Sequence, residues 1–259
     1  MTQTEKRLYL INHLKNESEQ YKNIDIPADT YEQKRLLRGL MNIRMASNIS
    51  EEFLKVQDEY LKAEIAMKGI TDVNTFAKSE NGIYLWQGDI TSLECDAIVN
   101  AANSGMTGCY VPNHRCIDNC IHTFAGVQLR TKCADIMRKQ GREERVGGAK
   151  ITPAYNLPCR YIIHTVGPYI YDKPTNNDKR LLASCYKSCL KIAEEYKLKS
   201  IAFCCISMGE FHFPPKLAAE IAVETVVEHL QNKNSIERVI FNVFKDSDKQ
   251  IYSQLLKKY

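Results

Sequence analysis

Apolar residues recur at helical spacing over roughly the first 70 positions and in short continuous runs after that, so the chain changes character once. Leu8, Ile11 and Leu14 form a first stripe. Tyr31 with Leu36, Leu37, Leu40 and Met41 forms a second, entered through Pro27 with Asp29 and Thr30 as capping candidates. Phe53, Leu54, Leu61 and Ile65 form a third, widened by Val56 and Tyr60. Ser50 suits its N-cap, Glu51 and Glu52 complement the dipole of its first turn, and Gly69 ends it. Three amphipathic helices of this kind each bury one face. They carry no catalytic constellation, so they read as a helical layer packed on the rest of the chain, with a partner-docking arm as the alternative.

A polar, turn-rich segment at 71–82 follows, dividing the chain into a helical extension, 1–75, and a second domain, 76–259. Beyond it, IYLW (83–86), AIVN (97–100), AKIT (149–152), YIIHTV (161–166), IAFCCI (201–206) and RVIFNVF (238–244) predict strands. Helical patterns cover 117–139, with a possible interruption at Gly126, then 181–196, 215–230 and 246–257. Pro215 suits the first position of its helix. Continuous apolar strands alternating with helices predict an α/β fold whose sheet is covered on both faces.

Charge and cysteine usage narrow the function classes. A net charge of +4 spread along the chain, without basic blocks, argues against nucleic acid as the partner. No apolar run approaches the roughly eighteen residues a membrane span needs. The first ten residues, MTQTEKRLYL, lack the apolar centre of a signal peptide, so the ten cysteines read as free thiols of a cytoplasmic protein. Cys204 and Cys205, inside IAFCCI, and Cys185 and Cys189, one helical turn apart, read as small buried hydrophobes.

Four loops carry groups that could do chemistry. Gln87-Gly88-Asp89-Ile90-Thr91 follows a strand, where Asp89 could face a ligand or simply cap a turn. Asn100 to His122, NAANSGMTGCYVPNHRCIDNCIH, holds amides, three thiols, two imidazoles and a carboxylate between a strand and a helix. Val146-Gly147-Gly148-Ala149 is a glycine turn entering a strand. Ser207-Met208-Gly209-Glu210-Phe211-His212-Phe213-Pro214 joins a strand to a helix, and its small residues would let backbone N–H groups approach an anion. All but the third are expected at strand C-terminal ends, where open α/β sheets bind ligands.

The motifs QGDIT, DAIVNAANS, IDNCIH, GGAKITPAYNLP, YIIHTVGP, LLASCYKSCLKIA, SIAFCCISMGEFHFP and ERVIFNVF run collinearly from residue 83 to the C-terminus and resemble the macrodomain family. The likeness is strongest to its MacroD-type branch, which removes ADP-ribose from proteins. The resemblance implies a mixed, mostly parallel sheet sandwiched between helices. It implies that Asp89, with Ile90 beside it, accepts from the adenine amino group, and that Asn103 holds the distal ribose. Ser207, Met208, Gly209, Glu210 and Phe211 would bind the diphosphate, with Phe211 or Phe213 near the distal ribose. Asp118, flanked by Ile117 and Asn119 in the same binding set, would serve hydrolysis together with Asn103.

The chain departs from that family where a glycine run would precede Asp118. Gly108-Cys109-Tyr110-Val111-Pro112-Asn113-His114-Arg115-Cys116 stands there, and proline with a β-branched residue cannot reproduce a glycine loop. Cys109, His114 and Cys116 offer two thiolates and an imidazole at close spacing, a donor set suited to zinc. The loop resembles the zinc-dependent macrodomains, a bacterial sub-branch linked with a sirtuin-type ADP-ribosyltransferase. That resemblance implies a Zn2+ beside the distal ribose, a protein-ADP-ribosyl hydrolase activity and, as substrate, an ADP-ribosylated protein such as a lipoyl-carrier protein. Three protein ligands would leave a catalytic position open. Cys120 or His122 as a fourth ligand would make a closed structural site, fitting a module that binds ADP-ribose without cleaving it. His122 otherwise reads as a satisfied buried histidine.

Overall fold

The computed structural model describes residues 1–232 and 234–259. The extension folds into α1 (Gln3–Asn16), α2 (Thr30–Ile43) and α3 (Glu51–Lys68). Thr2, Asp29 and Ser50 cap them by accepting from the backbone N–H three residues on, which satisfies donors no helix can satisfy internally. Leu10, Ile11, Leu14, Leu37, Leu40, Met41, Phe53 and Leu61 form a core of their own, completed by Val127 of the second domain. Each such side chain removed from water contributes about 1.5–3 kcal/mol. Two expected members differ: Leu8 is half-buried and Leu10 takes its place, and Tyr31 is 62% exposed, because it lies in the first turn before α2 reaches its neighbours.

The remaining elements are β1 (Thr71–Asp72), β2 (Ile83–Gln87), β3 (Leu93–Glu94), β4 (Ala97–Ala102), α4 (Ile117–Ala125), α5 (Val127–Gln140), β5 (Ala149–Pro153), β6 (Tyr161–Val166), α6 (Asn176–Glu195), β7 (Ser200–Phe203), α7 (Pro215–Leu230), β8 (Arg238–Val243) and α8 (Asp246–Leu256). Six strands form one sheet in the order β2-β8-β7-β4-β6-β5. All its pairings are parallel except β5 with β6. α6, α7 and α8 pack side by side on one face, while α4 packs on β4 and α5 on β5 on the other. α1 and α3 both pack on α2 or its neighbours, and α2 and α3 lie against α4. The segment expected to be a plain turn pairs in parallel with the second domain, Thr71 with Leu93 and Asp72 with Glu94. Among the described residues no helix is long and apolar enough to cross a membrane.

Two boundaries differ from expectation for physical reasons. β7 ends at Phe203, so Cys204 and Cys205 begin the following loop. Their run reads as strand because Cys204 remains in the core, 7% exposed, after its pairing has stopped. The glycine turn at 147–148 also shares the edge with the strand C-terminal ends, because β5 is antiparallel and starts where β6 finishes. Gly147 N donates to Val166 O at 2.8 Å. Gly126, at φ +99°, separates α4 from α5 where the interruption was expected.

Candidate functional site

β4 delivers Asn100 and Asn103 to its C-terminal end, and α4 presents Asp118 to both in its first turn. Asn100 Nδ2 donates to Asp118 Oδ1 at 2.8 Å, and Asn103 Nδ2 donates to Oδ2 at 3.3 Å. Burial raises the carboxyl of Asp118 to about 6, against the opposing effect of the Asn100 amide. His122 Nε2 lies 3.6 Å from the same carboxylate. Both His122 ring nitrogens lack a hydrogen-bond partner among the described residues, so this histidine is buried but not satisfied as expected. Burial, then the neighbouring His164 and Arg130, hold it well below its usual pKa and therefore neutral. Gly108, at φ +87°, makes this arrangement possible: a Cβ there would sit 2.7 Å from His122 Cγ.

The loop after Gly108 brings Cys109, His114 and Cys116 together, their donor atoms all within 4.8 Å of one another. Cys109 Sγ lies 3.6 Å from His114 Nδ1, and His114 Nε2 lies 3.6 Å from Glu210 Oε1. A carboxylate beside the far nitrogen of a ligating histidine is a usual way of orienting the ring. Glu210, expected to serve the diphosphate, faces the thiol loop. Cys120 and His122 lie outside the cluster: Cys120 Sγ accepts from Arg38, and His122 groups with the buried Cys133 and His164. His164 already bonds Asn100 Nδ2 at 3.1 Å and Thr152 Oγ1 at 2.9 Å, so its nitrogens are used in the core. The accessible trio fits zinc in chemistry and in number, and among the described residues no fourth His, Cys or carboxylate donor is gathered there.

Side chains from three elements fix that loop. Asn119 was expected to bind substrate. Instead it is fully buried, and its Nδ2 donates to Val111 O at 2.9 Å and Cys109 O at 3.3 Å. Asn42 of α2 accepts from Asn113 N at 2.9 Å and donates to Thr123 Oγ1 at 2.9 Å. Arg130 of α5 is only 4% exposed. It donates to Thr107 O at 2.7 Å and to Asn42 O at 2.7 Å, and also to Arg44 O. Its guanidinium lies 4.2 Å from the Tyr110 ring centroid. The carbonyls it receives include the C-terminal end of α2, where a cation suits the dipole. None of these holding residues was anticipated from sequence except Asn119, and that one in another role.

The loop from Ser207 to Phe213 is held differently. Ser207 and His212 adopt φ of +62° and +58°, and Phe213 N closes the loop onto Ser207 O at 2.9 Å. Among the described residues the N–H groups of Gly209, Glu210 and Phe211 donate to no backbone carbonyl, which suits an anion. Ser207 Oγ is buried without a partner among the described residues. Phe213 requires correction: it is 1% exposed and belongs to the core, so only Phe211 is available to a ribose. His212 is exposed and meets Tyr169 edge-on at 5.5 Å. Tyr169, on the unanticipated β6–α6 loop, also lies 5.7 Å from Phe211, and Ile170 N donates to Phe211 O at 2.9 Å.

At the far end of the edge, Asp89 Oδ1 accepts from Thr91 N at 2.9 Å and Thr91 Oγ1 at 2.6 Å, the cap of a short 3-10 turn at Ile90–Ser92. Asp89 Oδ2 pairs with Lys68 from the end of α3. Lys68 Nζ also lies 4.6 Å from the Phe124 ring centroid. Ile90 beside it is buried, 1% exposed.

The macro domain family matches residues 99–222. A protein-ADP-ribose hydrolase of Treponema medium is 55% identical over 260 residues, covering 99% of this chain and all of the relative. One from Staphylococcus aureus (strain MRSA252) is 51% identical over 249 residues, covering 95% of this chain and 93% of the relative. A variant of the Oceanobacillus iheyensis macrodomain solved with ADPR superposes with a TM-score of 0.64 at 34% identity, covering 70% of this chain and 96% of that one. This chain belongs to the macro domain family.

Proposed function

We propose that this enzyme, a hydrolase of ADP-ribose linkages like its full-length relatives, is a zinc-dependent protein-ADP-ribosyl hydrolase of MacroD type. It removes mono-ADP-ribose from modified protein side chains and releases ADP-ribose. The observation that carries the zinc reading is the gathering of Cys109, His114 and Cys116 donors within 4.8 Å, beside the Asn103–Asp118 pair. Zinc, when bound there, supplies Lewis acidity next to the distal ribose.

The chain's own residues do the rest. Asp89, with Ile90 beside it, holds the adenine. The N–H groups between Gly209 and Phe211, with Ser207 Oγ, bind the diphosphate. Phe211 borders the distal ribose, and Asn103 orients its hydroxyls. Asp118, positioned by two amides, takes the proton of the attacking water or of a ribose hydroxyl. The bond from C1″ to the acceptor oxygen breaks, water supplies the new hydroxyl at C1″, and the acceptor leaves with a proton. An Asp or Glu ester is the linkage proposed first. The resemblance to the sirtuin-linked branch extends the proposal to a lipoyl-carrier protein as acceptor, in the cytoplasm.

Incubation with an ADP-ribosylated acceptor tests this, before and after zinc is stripped and its removal verified. Loss of ADP-ribose release on stripping and recovery on zinc addition are expected. Full activity in verified metal-free protein refutes the zinc mechanism. Tight ADP-ribose binding with no turnover of any linkage supports instead a reader with a structural zinc.

A further inference from the structure

Cys120 is the one thiol of the thiol-rich stretch left outside the metal trio, and its isolation has a visible cause. One nitrogen of Arg38, Nη2, donates to His114 O at 2.7 Å, to Asn119 Oδ1 at 2.9 Å and to Cys120 Sγ at 3.3 Å. Cys120 lies one turn after Cys116, and its N–H donates to Cys116 O at 3.1 Å. Residues four apart share a helix face with Cβ atoms about 5–6 Å apart, a span two thiolates on one metal can bridge after a side-chain rotation. Arg38, from α2, engages that sulfur instead.

We propose that Arg38 is the positioning residue that keeps the metal site open. It engages the Cys120 sulfur and so withholds the fourth protein ligand. By accepting a hydrogen bond from Arg38 at Oδ1, Asn119 turns its NH2 toward the Cys109 and Val111 carbonyls, which sets the loop's path. The approach of α2 is built for this: a Cβ on Gly39 would come within 3.3 Å of Asn113 Nδ2 and 3.9 Å of Pro112 Cβ. Arg38, Gly39 and Asn42 together form the face of α2 that meets the loop. The helical extension is therefore part of the hydrolytic centre's design. This inference rests on the zinc reading above.

Cobalt(II) substitution of the full chain tests it, since thiolate-to-cobalt absorption reports the number of sulfur ligands. Wild type and Cys120→Ser are expected to give the same two-thiolate band. Arg38→Met is expected to raise the band by about half, as two thiolates become three. Its turnover should fall by about 10- to 100-fold while the metal stays bound. The double variant Arg38→Met/Cys120→Ser should return the band to the wild-type intensity and recover most of the turnover. Arg38→Lys can keep the His114 carbonyl but not all three partners, and serves as the second variant if Met impairs folding, with the same rise expected. An unchanged band in a folded, metal-loaded Arg38 variant, or a raised band that Cys120→Ser does not lower, overturns the proposal. A lower band in Cys120→Ser alone means Cys120 is already a ligand, and no cobalt uptake by wild type means the zinc reading itself is wrong.

Discussion

The loops after β4 and after β7 both face the ligand edge of the sheet, yet they are built on opposite principles. The first, from Gly108 to Cys116, is held by side chains: Arg38 and Asn42 from α2, Asn119 from α4 and Arg130 from α5. The second, from Ser207 to Phe213, is held by backbone bonds within itself and one to Ile170. Side-chain clamping leaves donor atoms of the loop's own side chains free to converge on one point. Backbone closure with two residues at positive φ turns N–H groups outward instead. The first arrangement suits a cation and the second an anion.

That contrast can be broken in graded ways. Cys116→Ser removes one of the three proposed metal donors and is expected to lower turnover about a thousandfold or more, with zinc content measured on the same sample. Wild-type turnover in zinc-free Cys116→Ser would refute the role of the thiol loop. Asp118→Asn keeps the shape of the side chain but not its basicity, and should lower kcat about 100- to 1,000-fold in single-turnover assays while ADP-ribose still binds. A change confined to KM would assign Asp118 to binding alone. Phe211→Ala, in the backbone-held loop, should raise KM about tenfold with little change in kcat, because it removes uniform binding. If kcat falls as much as kcat/KM, the two loops are not separable in the way their construction suggests. Lys68→Met, the mildest, frees Asp89 Oδ2 from a partly exposed pair. Such pairs are worth about 0.2–1 kcal/mol, so ADP-ribose affinity by calorimetry should tighten by up to about fivefold. Weaker binding would mean that Lys68 itself contacts the nucleotide.

Much of the architecture is readable in local signals. The caps at Asp29 and Ser50, the break at Gly126, the strands covered on both faces and the apolar stripe of α3 follow from residue spacing alone. The errors share a cause. Phe213 belongs to the core although it sits in a ligand loop, and Cys204 stays buried after its strand has ended, because burial is a property of the assembled layers and not of the local pattern. Tyr31 is exposed because apolar spacing does not say how far along a helix the neighbour extends.

The Cys109, His114 and Cys116 set was legible in the sequence, since its spacing is short and its residue types are chemically distinctive; Asn103 and Asp118 were legible through the family resemblance, and three of the four loops were expected at the ligand edge. The clamp was decided only by tertiary structure. Arg38 reaches His114 across 76 positions, and Arg130 reaches Asn42 across 88. Most of the acceptors that these arginines satisfy are backbone carbonyls, which every residue carries. A buried cation answered by carbonyls leaves no pattern of residue types in the chain, so the packing of α2 on the loop had to be seen before the helices could be assigned a part in the chemistry.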